Sequence, residues 1–318
     1  MRCCHYCQKR KPYWTKKFGL LKPIEAALTP FQMIGMDTLG PFRTSIGGNQ
    51  KIIVVTDYMT RFAIAKAVTR ENDQEIADML VQDVFLKHGV PERVLTDRGK
   101  SFGTELMRTI YRDFHAKHVS TTAYHPQTNG LTERLNRTLA TMMSMYVNRI
   151  HRDWDEFLPY AVFAYNTSVQ EVTGYTPHYL LYGFEARLLV DHKDPNERRT
   201  ISEQFERLHA ARELAIKATN ASKERMKRNY DANRYEQTFN EGDLVLIFRT
   251  RGYIGQTSKL RHPYEGPWVI TKKYNDLNYE VREVRADDDK SRVDVVHISR
   301  LKPYVVRGTE RSTNDMPS

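Results

Sequence analysis

Three carboxylates stand where charge needs an explanation. Asp37 lies inside the short apolar run 32–39, and Asp97 directly follows the run 93–96. Glu133 falls on the first turn of the clearest helix, with 35 residues between it and Asp97. Singly, each has a plain reading: Asp97 can make a turn before Gly99, and a Glu at the start of a helix favours its dipole. Jointly they ask for more. A carboxylate among apolar neighbours is unfavourable unless paired or metal-bound. Carboxylates from two strands and a helix that converge on one sheet edge repel one another at neutral pH. Such hard oxygen ligands select Mg2+ or Mn2+ over zinc. Two ions roughly 4 Å apart clamp the attacking and leaving oxygens of an in-line phosphoryl displacement. Asp57, at the end of KIIVVTD, either faces the same cleft or serves a turn or an ion pair with Arg61.

The elements that must position these groups are legible from periodicity. Residues 51–57 and 61–68 read as strands joined by the short turn Tyr58-Met59-Thr60. Ile76, Leu80 and Val84 predict a helix over 72–88, closed by Gly89 and Pro91. A second helix is expected over 103–114, a strand over 119–122, and a turn-rich loop over 125–130 (HPQTNG). Leu131, Leu135, Leu139, Met142, Tyr146 and Ile150 predict a helix over 131–150 with that stripe on the core. Glu133 then points away from the core, and Arg137 shares its face. Further helices are expected over 154–166 and 176–182. Residues 201–235 read as a charged helical stretch anchored by Phe205, Leu208, Leu214 and Ile216. Short strands over 244–248, 268–272, 279–284 and 293–298 make a small β domain of barrel type. Tyr264, Trp268, Tyr274 and Tyr279 are expected in its core.

Composition narrows the partner. There are 49 basic and 39 acidic side chains in 318 residues, a net charge of +10, which favours a polyanion and above all nucleic acid. No apolar run reaches the roughly 20 residues of a membrane span. The start has no signal-peptide core, so secretion is not expected. The three cysteines all precede residue 8, which excludes a disulfide framework, while Cys4-x-x-Cys7 has metal-ligand spacing. No strand runs into a glycine-rich phosphate loop, so no nucleotide cofactor is expected.

Candidate DNA contacts surround Glu133. Tyr124, Gln127, Asn129 and Gly130 form a polar loop that can touch DNA, while Asn129 can equally cap the following helix. Arg134, Asn136 and Arg137 share the helix of Glu133, and Arg137 is the leading phosphate contact against the reading of a solvated surface. Lys217, Lys223, Arg225, Lys227 and Arg228 track DNA, pair between subunits, or simply solvate a connecting helix. Lys259, Arg261, Lys272, Lys273, Arg300 and Lys302 make the β domain basic.

The segments MDTLGPF (36–42), LTDRGKSF (95–102) and HPQTNGLTERLNRTL (125–139) resemble the D,D-35-E signature of retroviral and retrotransposon integrases, in particular those of Ty3/gypsy-type LTR elements. AYNTSVQEVTGYTPHYLLYG (164–183) is similar to that group's core C-terminus. KLRHPYEGPW (259–268) and VHISRLKPY (296–304) resemble its GPY/F module. The resemblance implies an α/β, RNase H-like catalytic core with a mixed five-stranded sheet over 25–190, a charged helical linker over 191–238, an SH3-like DNA-binding domain over 239–306 and a tail over 307–318. Residues 1–24 would be the remnant of a zinc-binding region. In the family two histidines precede the cysteine pair; only three residues precede Cys4, so a site at Cys4 and Cys7 is incomplete and zinc is not expected. The resemblance assigns two Mg2+ or Mn2+ ions to Asp37, Asp97 and Glu133, with Asp37 bridging. It implies 3′-end trimming of element cDNA, then attack of that 3′-OH on target DNA. It further implies a homo-oligomer acting in the nucleus after a cytoplasmic particle, with 9–17 as the nearest import-like segment. A decayed or domesticated DNA-binding protein, and an RNase H-like nuclease, are the competing readings.

Overall fold

Runs of β-branched residues with period-two alternation build a sheet whose two faces are both covered. The computed structural model describes residues 4–11, 17–18, 20–21, 24–97, 99–120, 126–187, 200–232, 234–235, 237–249, 262–284 and 291–306. Two compact units arise. One is residues 23–225, and the other combines 1–22 with 226–318. Among the described residues no helix is long and apolar enough to cross a membrane.

The first unit holds strands β1 (Met33–Leu39), β2 (Lys51–Asp57), β3 (Ala63–Val68), β4 (Arg93–Thr96) and β5 (Lys117–Ser120). They lie in the order β3-β2-β1-β4-β5. The first three are mutually antiparallel, while β4 and β5 run parallel to β1. This is the mixed five-stranded sheet of an RNase H-like core. On one face Ile34, Met36, Ile53, Val55 and Val94 pack against a helical stretch, α1, made of Asp73–Asp78, a π-helical Met79–Phe85 and Leu86–His88, and against α2 (Glu105–Asp113). Asn72 caps α1 by accepting from the Glu75 amide at 2.8 Å.

The opposite face carries the other alternate residues. Ile52 and Val54 meet Leu135, Leu139 and Met143 of α3 (Pro126–Ser144) and Trp154, Leu158, Ala161 and Tyr165 of α4 (Trp154–Thr167). Helix α3 begins within the expected loop, because proline's fixed φ and missing N–H suit a first helical turn. It ends six residues before the predicted limit. There the Ser144 hydroxyl donates to the Thr141 carbonyl and Asp153 accepts from the Asn148 amide, so local bonds replace the helical ladder. Tyr146 and Ile150, expected in the core stripe, are accordingly 68% and 56% exposed.

A short helix, α5 (Pro177–Tyr182), precedes the 31-residue α6 (Ile201–Asp231). Up to residue 225, α6 groups with the core. Its buried positions are the small Ala211, Ala215 and Thr219, whereas Phe205 and Leu214, expected as anchors, are exposed. Polar staples fix it. Arg212 donates from Nε and Nη2 to the Leu180 and Leu181 carbonyls of α5 at 2.8 and 2.9 Å. Lys223 Nζ donates to the Ile24 carbonyl at 2.8 Å, and burial together with Arg61 and Arg93 pushes its pKa down to about 8.

In the second unit β6 (Leu244–Phe248), β7 (Tyr264–Lys273), β8 (Asn278–Glu283), β9 (Val293–His297) and the unpredicted β10 (Leu301–Pro303) form an antiparallel sheet ordered β9-β8-β7-β6-β10. Trp268, Ile270, Tyr279, Val281 and Val296 fill its core. Tyr274, expected inside, is exposed, with its hydroxyl donating to Glu280 at 2.8 Å. The helix His5–Arg10 is tied to the end of this sheet. Gln8 Nε2 donates to the Val305 carbonyl and Gln8 Oε1 accepts from the Val305 amide, both at 2.9 Å. Lys302, counted above among basic surface residues, is buried and donates to the Gln8 and Lys11 carbonyls.

At the edge strand β3, the Asn166 side chain accepts from the Ala63 amide at 2.8 Å and donates to its carbonyl at 2.9 Å. Asn166→Leu leaves both buried backbone groups without these partners. It should lower the stability of the core unit by about 2 kcal/mol in urea unfolding of the full chain.

Candidate active site

Strand β1 carries Gly35 and Asp37 on the face covered by α3. A methyl group on Gly35 would stand 2.5 Å from Thr132 Oγ1. One helical turn on, Asn136 Nδ2 donates to Asp37 Oδ2 at 2.9 Å. These two contacts set α3 in register over β1. Asp97 follows β4, two residues beyond the parallel pair Gly35–Leu95, and so comes level with Asp37. Its carboxylate Oδ1 accepts from the Gly99 amide at 2.8 Å. Its own carbonyl accepts from the Thr96 hydroxyl at 2.8 Å, which also meets His118 Nε2 at 2.8 Å. Glu133, directly after the buried Thr132, is exposed on α3.

Electrostatics ties the three together. Burial pushes the Asp37 carboxyl up to about 6, and the negative charges of Asp97, Glu133 and Glu71 add to that. The Thr38 amide, donating to Asp37 Oδ1 at 2.8 Å, opposes the rise. Among the described residues no Lys or Arg ion pair reaches Asp37. Glu71 carries no signal in the sequence; it arrives beside Asp37 from the loop after β3 and is paired with Lys51.

The remaining candidates separate. Asn136, expected among the DNA contacts, is buried and turned to Asp37, because its position on α3 faces the sheet. Arg134 and Arg137 are exposed on α3, and the field of Arg134 is felt at Arg61 and Tyr165. Lys272 is exposed, its ammonium 5.3 Å from the Tyr274 ring centre. Tyr124, Lys259 and Arg261 lie outside the described residues, as do the side chains of Gln127 and Asn129 at the start of α3. Asp57 does not face the cleft. It is fully buried, and its oxygens accept from the Phe31, Met59 and Thr60 amides and the Thr60 hydroxyl. Cys4 is exposed, and hydrogen bonds from Cys7 draw its thiol below the ordinary value.

Two family descriptions match this chain: "Integrase core domain" over residues 27–126 and "Integrase p58, C-terminal domain" over residues 266–303. Over these two segments the chain is similar to integrases. The core match contains Asp37 and Asp97, and Glu133 lies beyond its end. The chain is 28% identical over 295 residues to the retrovirus-related Pol polyprotein from transposon 412 of Drosophila melanogaster, covering 89% of this chain and 23% of the relative. It is 25% identical over 311 residues to the transposon Tf2-3 polyprotein of Schizosaccharomyces pombe, covering 95% and 23%. The chain thus spans about a quarter of the length of the curated relatives it matches. A chain of the simian T-cell lymphotropic virus intasome in complex with PP2A regulatory subunit B56 gamma shares the fold, with a TM-score of 0.57 at 16% identity over 96% of this chain and 89% of that one.

The likeness to an integrase core implies a divalent cation at these carboxylates, and the residues here can be tested for that fit. Among the described residues no three His, Cys, Asp or Glu side chains form a ready ion cage. The donor set nevertheless fits a hard cation: the Asp37 carboxylate, whose proton affinity is raised by burial and by the neighbouring acidic charges, is met by the neutral donors Thr38 and Asn136. Asp37, Asp97 and Glu133 would be its ligands.

The raised Asp37 pKa has a consequence for the metal-free chain. Below about pH 4 the carboxyl is protonated folded or unfolded and has no effect. From there to about pH 6 the folded state keeps a proton that the unfolded state releases, so stability falls as pH rises; above this window the loss is complete. Asp37→Asn removes the loss, and the Asn136 Oδ1, buried without a partner, can turn to accept from the new amide. The variant should be more stable than wild type by on the order of 2 kcal/mol at pH 7.5 in EDTA, with the difference gone at pH 4, as read by denaturant titration at both pH values.

Proposed function

We propose that this chain is a retrotransposon integrase, which binds DNA and catalyses metal-dependent 3′-end processing of element cDNA and its strand transfer into target DNA. The observation that carries the reading is the Asp37 carboxyl, raised to about 6 by burial with the charges of Asp97, Glu133 and Glu71 adding to it, on a segment that matches an integrase core description. A buried carboxylate that, among the described residues, no Lys or Arg ion pair reaches suits a polynucleotidyl transferase.

Each residue has a task in the proposed reaction. Asp37, Asp97 and Glu133 would hold two Mg2+ or Mn2+ ions, which when bound would activate the attacking oxygen and stabilise the leaving one. Asn136 orients the Asp37 carboxylate through its hydrogen bond to Oδ2. The Gly99 amide keeps one Asp97 oxygen oriented. Arg137, with Arg134, stands on the exposed side of α3 beside Glu133 and holds backbone phosphates near the reacting bond. The exposed Lys272 extends the phosphate contacts onto the C-terminal domain. Insertion of both cDNA ends in concert needs more than one active site, so the working form is a homo-oligomer. Its site of action is the nucleus, reached from a cytoplasmic particle.

The deciding experiment offers the full chain a branched DNA that mimics the joined product, with Mg2+ or Mn2+. Wild type should resolve the branch, and Glu133→Gln should lose at least about 100-fold of that rate. Folded wild type that binds the DNA but leaves it intact would overturn catalysis and favour a DNA-binding protein. Preferential cutting of an RNA–DNA hybrid would favour a nuclease.

A further inference from the structure

Between β2 and β3 the chain turns in a form that a hairpin does not require. Arg61 has a φ of 69°, unfavourable for a side chain of that size, and is buried. Asp57 is fully buried and held by four donors. Burying two such charges is a poor source of stability, because desolvation offsets most of any attraction between them. Such a turn persists because its surroundings over-determine it, and strain of this kind concentrates near working sites.

The surroundings are specific. The Arg61 amide donates to the Asp57 carbonyl at 3.0 Å. Its guanidinium Nη2 donates to Thr219 Oγ1 of α6 at 3.3 Å, and both side chains are buried. Next to Asp57, the Tyr58 amide donates to the Met33 carbonyl at the start of β1 at 3.0 Å. The Tyr58 ring closes on Gly35, where a methyl group would stand 2.8 Å from it. The Thr132 hydroxyl closes on the same glycine from α3, where that methyl group would stand 2.5 Å from it, and the Tyr58 phenol senses both the Arg61 and the Glu133 charges. Thr132 immediately precedes Glu133 on α3.

We propose that this turn is a positioning device: Thr219, Arg61, Tyr58 and Thr132 transmit the docking of α6 on the core to the first turns of α3, and so set where Glu133 stands relative to Asp37 and Asp97. The inference rests on the function proposed above, since it takes Glu133 as a metal-binding carboxylate. Thr219 on Arg61, and Tyr58 and Thr132 on Gly35, are buried contacts between rigid elements, and the short turn itself joins Arg61 to Tyr58. On α3, Thr132 over Gly35 and Asn136 on Asp37 are one turn apart, so a shift of the Tyr58 phenol displaces the register that aims Glu133. Glu133 is exposed and has the least local support of the three carboxylates, which makes it the one whose place depends on such bracing. Tyr58, Arg61 and Thr219 touch no reacting atom; they are positioning residues. Docking of α6 thereby becomes a condition for an assembled site.

The test uses the full chain with Thr219→Val and Tyr58→Phe, singly and combined. It reads kcat and KM on the branched DNA, Mn2+ binding by electron paramagnetic resonance, and Tm. Each single variant should lose about 10-fold in kcat with the DNA KM within about 2-fold of wild type, and should bind Mn2+ more weakly. The combined variant should be no worse than the more affected single one, because both cut the same chain of contacts. Thr219→Ser, which keeps the hydroxyl, should restore both readouts. Wild-type kcat per folded molecule and wild-type Mn2+ affinity in the single variants would overturn the proposal, whatever the Tm. So would losses that multiply in the combined variant. If wild type binds Mn2+ in a Glu133-dependent way but resolves no DNA, the proposed function fails, and the Mn2+ readout alone decides the relay.

Discussion

Asp37 must carry negative charge directly after four buried residues of its strand, Met33 to Met36, within the field of three other carboxylates. That repulsion is the constraint around which the core is arranged. A free-standing helix with Glu133 on it would drift away from the other acids, so α3 is held down where the repulsion acts. Thr132 is pressed on a residue with no side chain, Asn136 is bonded to Asp37 itself, and Leu135 and Leu139 are buried between β2 and α4. The apolar face of the helix supplies the hold, and its polar positions supply the alignment.

The same logic explains why small residues line the contact surface of α6. Ala211, Ala215 and Thr219 bring its backbone close to the core. Arg212 and Lys223 then reach carbonyls that would otherwise end helix α5 and the segment before β1 without a donor. A highly charged helix can in this way be docked rather than solvated, with Arg212 and Lys223 spent on backbone oxygens, Leu208 and Ile216 half-buried, and Phe205 and Leu214 left outside.

Much of this was legible in one dimension. Period-two alternation marked β2 and β3, and four-residue spacing marked α1 and the middle of α3, because side-chain direction follows backbone geometry in both. Asp37 was conspicuous because a charge inside an apolar run has few explanations. Other features depend on contacts that no spacing encodes. Asn136 looked like a surface residue beside Arg137, but its position turns toward the sheet, where Asp37 waits. Glu71 gave no signal because its relevance comes from the fold of the loop after β3. The exposure of Phe205 and Leu214 reversed a pattern reading, since close helix packing favoured alanines over large side chains. The ends of α3 moved in both directions, through a proline that starts a helix and a serine that helps to stop one.

The ties of Gln8 and Lys11 to Val305 and Lys302 join residues 291 to 297 positions apart in the chain. The small β unit is therefore assembled from both ends of the chain, with the whole core inserted between its pieces. During synthesis the core can close on local and mid-range contacts as soon as it leaves the ribosome, whereas the N-terminal helix has no partner until nearly the last described strand has emerged. The order of maturation is thus written into the connectivity: the inserted core unit first, and the β unit built from the segments on either side of it last.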